Sequence, residues 1–104
     1  MKEGCSMSDG FRLAISKYLS VLSQYVPIVD RVHGDHHPEF HEVKRLCEEI
    51  IRKIKEAGEG RPELDNEFLR LREITDGYTV PDDVCESYEA VYNMLSELDK
   101  AYHG

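Results

Sequence analysis

The sequence predicts an all-α protein, an antiparallel four-helix bundle with up-down-up-down order. Three observations lead to this fold class. Apolar residues recur at helical spacing in four segments of the 104-residue chain. Gly and Pro residues separate these segments by loops of about three to six residues, which favour antiparallel neighbours. The chain has no alternating strand pattern and no internal repeat.

The first helix is predicted from about Ser8 or Asp9 to His33. Its apolar residues alternate steps of four and three: Phe11, Ile15, Tyr18, Leu22, Tyr25, Val29 and Val32. This spacing predicts one buried stripe on one helical face. Gly34 is expected to end the helix in the left-handed conformation. The lead before the helix, residues 1–8, has no periodicity and is expected to be disordered.

The second helix is predicted to begin at Pro38, because proline suits the first turn of a helix, and to end near Gly58. The third helix is predicted from Pro62, with Gly77 as its stop signal. The residues that these two helices should bury are Phe40, Val43, Cys47, Ile50 and Ile54, then Leu64, Phe68, Leu71 and Ile74.

The fourth helix is predicted to follow Thr79 and Asp82, which approximate a capping box. Its expected stripe is Val84, Tyr88, Val91, Leu95, Leu98 and Tyr102. Cys47 and Cys85 are expected to be reduced thiols in the core, because the chain has no CxxC motif. Tyr residues on the apolar stripes are expected to pack in the core with their hydroxyls at its rim.

The composition indicates one acidic domain over residues 1–104. Its formal net charge of −8 argues against nucleic acid or an anionic membrane surface as a partner, because both would repel it. No apolar run approaches the roughly 18 to 20 residues that span a bilayer, and the N-terminus has no basic region followed by an apolar one. The protein is therefore expected to be soluble and cytoplasmic.

Histidines are concentrated between the first two predicted helices. Four of the five in the chain are His33, His36, His37 and His41. Imidazole is a common ligand of first-row metals, and His37 and His41 have the i, i+4 spacing that places two rings on one helical face. Asp35, Glu39 and Glu42 are near enough in sequence to supply oxygen ligands or to accept hydrogen bonds from the ligating imidazoles. One interpretation is therefore an iron or zinc site formed by these four histidines.

The other interpretation needs no metal. His37, His41, Lys44 and Glu48 have the spacing of one polar stripe that faces water, opposite the apolar stripe of the second helix. His33 follows Val29 by four residues, so it can turn toward the edge of the core or serve as a ligand. The sequence leaves both interpretations open.

Two motifs resemble those of a known family. They are Val32-His33-Gly34 followed by His37-Pro38-Glu39, and Leu71-Arg72-Glu73-Ile74-Thr75 followed by Tyr78-Thr79-x-Pro81-x-Asp83-x-Cys85, Tyr88 and Tyr92. In this order, from about Phe11 to His103, the chain resembles the hemerythrin-like domain of the iron-sulphur cluster repair di-iron proteins. The resemblance implies a four-helix bundle with a carboxylate-bridged di-iron centre that serves cluster repair. It also implies that His33 is an iron ligand.

The other ligands of that family do not carry over. The first falls at or near Arg12, and a His and a Glu of the second helix fall near Ala57 and Arg61. A third-helix His falls close to residues 60–62, and the last pair would lie just past Gly104. A lone imidazole cannot hold two irons, because bundle di-iron centres need inward carboxylates and histidines from facing helices. The resemblance therefore implies the fold without the complete di-iron site.

The leading hypothesis is a degenerate hemerythrin-like bundle that works without a cofactor as a non-catalytic binding or assembly module. It would act as a homodimer or with a protein partner, through an apolar face. One alternative is a metal-binding protein that holds iron or zinc with the cluster from His33 to His41. Another is a truncated di-iron repair protein. The chain has no phosphate-binding loop and no Ser-His-Asp order, so the sequence favours a non-enzyme over an enzyme.

Overall fold

A computed structural model describes residues 8–104, which form four α-helices in the order α1 (Asp9–His33), α2 (Glu39–Ala57), α3 (Asp65–Ile74) and α4 (Glu86–His103). The predicted all-α fold class is confirmed. The predicted bounds of α1 are confirmed as well, and the helix runs through Pro27 to His33. The expectation of a disordered lead concerns residues 1–8, of which 1–7 lie outside the described residues. None of the helices in the described part is long and apolar enough to span a bilayer.

Side-chain contacts at both ends show that α1 and α4 are antiparallel. The rings of Phe11 and Tyr102 lie 5.2 Å apart at one end of the bundle. At the other end, Nε2 of His33 lies 3.1 Å from Sγ of Cys85. The last turn of α1 and the first turn of α4 therefore meet, and this end carries the histidine-rich turn.

Ion pairs show the same relation between α2 and α3. Lys53 Nζ lies 2.7 Å from Glu67 Oε2 near the end of α2. Near its beginning, Arg70 donates from Nε and Nη2 to the two carboxylate oxygens of Glu42 at 2.6 and 2.9 Å. The second and third helices are thus antiparallel. The first and second are antiparallel as well, since Asp30 contacts His41 beside the turn and Leu22 lines one groove with Ile51 farther along, so the order is up-down-up-down.

The core lies between the four helices and is aromatic at both ends. Every predicted core residue from Phe40 to Ile54 is buried, and so are Leu64, Phe68 and Leu71. Ile74 and Val84 are only partly buried against this core. The largest buried side chains are Tyr88, Tyr92, Phe11, Phe40 and Phe68.

The predicted apolar stripe of α1 is wrong at two positions. Phe11, Leu22 and Val29 are buried as expected, but Tyr25 and Val32 are 36% and 60% exposed. A helix turns about 20° per heptad relative to an ideal repeat of 3.5 residues, so a stripe kept over three heptads rotates away from the core. Val26 takes the place of Tyr25 in the core and is 2% exposed.

The predicted beginnings of α3 and α4 also need correction. The third helix begins at Asp65 and not at Pro62, since Leu64 has the non-helical dihedrals φ −118° and ψ 9°, and its backbone N–H donates to the Tyr102 hydroxyl at 2.9 Å. That hydroxyl in turn donates to the carbonyl oxygen of Pro62 at 2.8 Å. The segment before Asp65 is therefore held against the end of α4 in a non-helical conformation.

The fourth helix begins at Glu86, so the predicted capping box at Thr79 is wrong. The Thr79 hydroxyl donates to the carbonyl oxygen of Asp76 at 2.6 Å instead. Three consecutive residues with positive φ, Asp76, Gly77 and Tyr78 at 53°, 67° and 64°, form a tight turn that places Thr79 beside the end of α3. A bulky residue such as Tyr disfavours this left-handed conformation, so tertiary contacts must hold the turn.

Those contacts converge on a buried carboxylate, Asp99 of α4. It accepts two hydrogen bonds from the guanidinium of Arg72 at 2.8 and 2.9 Å and one from the Tyr78 hydroxyl at 2.7 Å. Nδ1 of His103 lies 2.8 Å from Oδ1 of Asp99, the oxygen that Tyr78 does not contact. Burial opposes ionisation, but the hydrogen bonds from Arg72 and Tyr78 and the nearby charges keep the pKa of Asp99 below its usual value. The carboxylate thereby ties the strained turn to both α3 and α4.

Candidate functional site

The turn between α1 and α2 is built around a close approach at Gly34. This glycine has right-handed dihedrals, φ −59° and ψ −30°, so the expected left-handed conformation is wrong. A Cβ atom there would lie 2.6 Å from Cε1 of His41 and closer still to the carbonyl oxygen of Asp30. The position requires glycine because there is no room for a side chain, and not because of its dihedral angles.

His33, at the end of α1, contacts the first turn of α4. Its Nε2 atom lies 3.1 Å from Sγ of Cys85, and its ring meets the Tyr88 ring edge to face at 5.5 Å. The prediction that Cys85 lies in the core is wrong, since this thiol is exposed at the N-cap of α4. His33 is half-buried, as expected for a polar residue at the core edge.

His37 is held between two carboxylates. Its Nδ1 atom lies 3.1 Å from Oε2 of Glu39, and its Nε2 atom lies 3.0 Å from Oδ1 of Asp83. Partial burial lowers the pKa of His37, but the hydrogen bonds to Glu39 and Asp83 and the charges of both carboxylates outweigh that effect, so the pKa is raised. A neutral imidazole has one N–H, so this arrangement suits the doubly protonated ring.

The interpretation of His37 as part of a solvated polar stripe is therefore wrong, because its side chain is only 14% exposed. The same interpretation is confirmed for His41 and Glu48, whose side chains are each 58% exposed. The Nδ1 atom of His41 forms an ion-pair contact of 2.6 Å with Oδ1 of Asp30. His36 is exposed at the tip of the turn.

The four histidines consequently do not point at one centre. His33 faces Cys85, His37 faces Glu39 and Asp83, and His41 faces Asp30 on α1. Within residues 8–104, no group of three or more His, Cys, Asp or Glu side chains is arranged to hold a metal ion. The structure brings His33 and His37 together on the ring of Tyr88, and it leaves His36 and His41 outside that contact.

A cluster of buried aromatic side chains lies behind this turn. The hydroxyls of Tyr88 and Tyr92 lie 2.9 Å apart, and both side chains are buried against Phe40. Burial raises the pKa of both phenols, and the Tyr88–Tyr92 hydrogen bond and the Glu39 charge raise that of Tyr88 further. Both tyrosines are therefore neutral, packed groups at physiological pH.

The interior does not fit a di-iron centre. The buried charged side chains in the described residues are Glu67 and Asp99, and each lies next to a cation, Lys53 or Arg72. At the positions where the resemblance would place further ligands, Arg12 is exposed and Arg61 covers the ring of Tyr102 at 3.9 Å. Bundle di-iron sites need unpaired inward carboxylates and histidines on facing helices, which these residues do not provide.

Comparison of the chain with protein-family models, curated proteins and solved structures finds no match.

The outer surface of α1 carries apolar side chains that the sequence pattern had placed in the core or had left out. Three large apolar side chains along it, Tyr25, Ile28 and Val32, are 36%, 48% and 60% exposed. Together with half-buried Val21 they follow helical steps of four, three and four, and we call these four residues the α1 stripe. Such spacing places them on one line along the helix.

The α1 stripe belongs to an unusually uncharged segment. Charged residues make up 33% of the chain, yet Lys17 is the only one between Leu13 and Val29. A helix that is covered on one side normally carries charged residues on its outer side. This absence of charge is the sequence signal that could have located the surface in advance.

A groove of about 400 Å³ runs along the opposite flank of α1, between α1 and α2. Its floor is apolar, with Leu22, Val26 and Ile51, but Glu48 and Lys55 line its rim. The α1 stripe lies on the other flank, since it continues the positions of Ala14 and Tyr18 beside α4. Of the two surfaces, the stripe is the one without charged side chains of its own.

Proposed function

We propose that this chain is a non-catalytic binding module, a hemerythrin-like bundle without a complete di-iron site that binds another protein through the α1 stripe. The observation that carries the proposal is the joint exposure of Tyr25, Ile28 and Val32 along one flank of α1. Isolated exposed apolar residues are ordinary on protein surfaces, whereas contiguous ones mark interaction sites.

The energetics favour a covered stripe. Complete burial of one large apolar side chain contributes roughly 1.5 to 3 kcal/mol, so a partner that covers three half-exposed ones gains several kcal/mol before the cost of association. Leu69 on α3 is 52% exposed as well. It lies outside the stripe, so it provides a matched control for exposure without contiguity.

Site-specific photo-crosslinking in the cells that produce the protein tests the proposal. A benzophenone amino acid placed at Ile28 is expected to give one discrete crosslinked product, and the same group at Leu69 should give none. The mass of the product identifies the partner. The proposal is wrong if position 28 gives no product, or if both positions give the same diffuse products.

A second candidate function, metal binding, is favoured by the contact between His33 and Cys85. Imidazole and thiolate are both good ligands of zinc, and the two atoms lie 3.1 Å apart. Two ligands of one tetrahedral zinc ion would lie about 3.6 Å apart, given the usual bond lengths. A metal held there would need further ligands, because both ring nitrogens of His37, which packs on the same Tyr88 ring, contact Glu39 and Asp83.

Elemental analysis separates the two candidates. Protein dialysed against zinc or iron and then freed of unbound metal should hold about one ion per chain if the second candidate is right. A His33→Ala variant should then lose it. A binding module without a cofactor should hold no stoichiometric metal before or after dialysis.

A further inference from the structure

The α1 stripe continues a regular seam along the whole helix. Ala14 and Tyr18 precede Val21, so that the six positions up to Val32 follow alternating steps of four and three. This is the repeat of a helix–helix contact. Beside Ala14 and Tyr18 the seam borders α4, whose Glu97 and Ala101 line the same recess. From Tyr25 to Val32 the same seam is exposed.

Charge distinguishes this surface from the rest of the chain. Residues 9–33 contain three basic side chains (Arg12, Lys17 and Arg31) and two acidic ones, for a net charge of +1. Residues 76–104 contain seven acidic side chains and one basic one, for a net charge of −6. Among contacts that pair one surface with the same surface of a second copy, α1 on α1 therefore meets the least repulsion in a chain with a net charge of −8.

Symmetry leads to the same pairing. A surface that contacts its own copy around a two-fold axis closes after two chains, whereas an unlike contact, such as α1 on a neighbour's acidic α4, builds rings or filaments of more chains. From these observations we propose that a second copy of this chain covers the α1 stripe, with α1 packed on α1. The inference rests on the proposed function and names the partner.

The size of the stripe sets the expected strength of the pairing. Its four residues span about 17 Å of helix, at a rise of 1.5 Å per residue. A strip of that length and of the width of one helix, about 10 Å, covers far less than the roughly 800 Å² per partner that a standard interface buries. The dimer should therefore be weak, with a dissociation constant in the micromolar range.

Sedimentation equilibrium of the purified chain tests the inference, over total concentrations from about 1 µM to about 1 mM. The average mass should rise from one chain of 12.0 kDa toward two. Ile28→Asp should weaken the association at least tenfold, because it buries an unpaired charge in the interface. Leu69→Asp, which changes an equally exposed residue outside the stripe, should leave the dissociation constant unchanged.

Ile28→Gln provides a second variant that retains good helix propensity, and circular dichroism establishes that each variant is folded. A mass of one chain throughout the range would overturn the inference, and so would equal weakening by Ile28→Asp and Leu69→Asp. Photo-crosslinking at position 28 separates this failure from failure of the proposed function. A product with a different protein overturns only the self-pairing, whereas the absence of any product overturns both.

Discussion

His37 and Asp83 join the two loops at one end of the bundle, with Nε2 of the imidazole 3.0 Å from Oδ1 of the carboxylate. One residue lies in the turn before α2 and the other in the segment before α4. The opposite ring nitrogen faces Glu39, so the imidazole bridges two acceptors. These three side chains therefore form a charged clamp across the end of the bundle.

The clamp predicts a pH dependence of stability. His37 has a raised pKa in the folded protein, so its contribution is fully present below its ordinary value of 6.5 and is lost as pH rises through the raised pKa. We expect the free energy of unfolding to fall more between about pH 6 and pH 8 in the wild-type protein than in His37→Gln, as measured by urea denaturation. Identical pH profiles would show that the clamp contributes nothing.

Asp99 predicts the opposite pH behaviour. Its pKa is lowered in the folded protein, so its contribution is present above its ordinary value of 3.8 and is lost as pH falls through the lowered pKa. At pH 7, Asp99→Asn should cost about 1.5 to 3 kcal/mol, because it weakens the hydrogen bonds to the half-exposed Arg72 guanidinium. Tyr78→Phe should cost about 1 kcal/mol, since it removes one hydrogen bond. Equal costs for the two variants would contradict this account of the cluster.

Two glycines in or beside α1 should respond to alanine with opposite signs. Gly34→Ala should destabilise the protein by about 1 to 3 kcal/mol, because the new methyl group meets the His41 ring and the Asp30 carbonyl oxygen. Gly10 lies in the first turn of α1, and a methyl group added there would meet open space, so Gly10→Ala should stabilise by up to about 1 kcal/mol. Thermal unfolding of both variants measures the difference. A neutral Gly34→Ala would show that the turn can relax.

The two described cysteines should differ in reactivity. Cys47 is 1% exposed, and burial together with the charge of Glu48 raises its pKa to about 12. Cys85 is exposed. In a Cys5→Ser background, a maleimide should label Cys85 in the native protein and Cys47 only after unfolding. Rapid native labelling of Cys47, detected by peptide mass spectrometry, would contradict the packing between α1 and α2.

Helical periodicity sufficed for the number, order and direction of the helices, because burial in a bundle follows the same spacing that the sequence displays. Periodicity did not predict where α3 and α4 begin, because tertiary contacts determine those positions. Leu64 leaves the helical pattern because the Tyr102 hydroxyl, 38 positions away, accepts from its N–H and donates to the Pro62 carbonyl oxygen, which a helix would have used. Thr79 could not be excluded as a cap without knowledge of the left-handed turn before it.

The candidate site, too, could be predicted from the sequence only in part. The sequence placed His33 and His37 at one end of the bundle, but their partners Cys85 and Asp83 come from the other loop, and no local pattern pairs them. Tyr25 and Val32 fitted the core stripe by spacing alone, and only the rotation of the helix turned them outward. The exposed stripe was nevertheless signalled by the scarcity of charge between Leu13 and Val29.

The central claim is that the α1 stripe is covered when the protein works. The most direct test compares how fast a membrane-permeant maleimide labels Ile28→Cys and Leu69→Cys in the producing cells, with Cys5 and Cys85 changed to Ser. In an uncovered chain these positions are matched, at 48% and 52% exposure, so their rates should be similar. A covered stripe predicts that position 28 reacts more slowly than position 69 in the cell, by a factor that grows with the amount of protein where a second copy is the cover, and equally fast after dilution of the purified protein. Equal rates in the cell would contradict the claim.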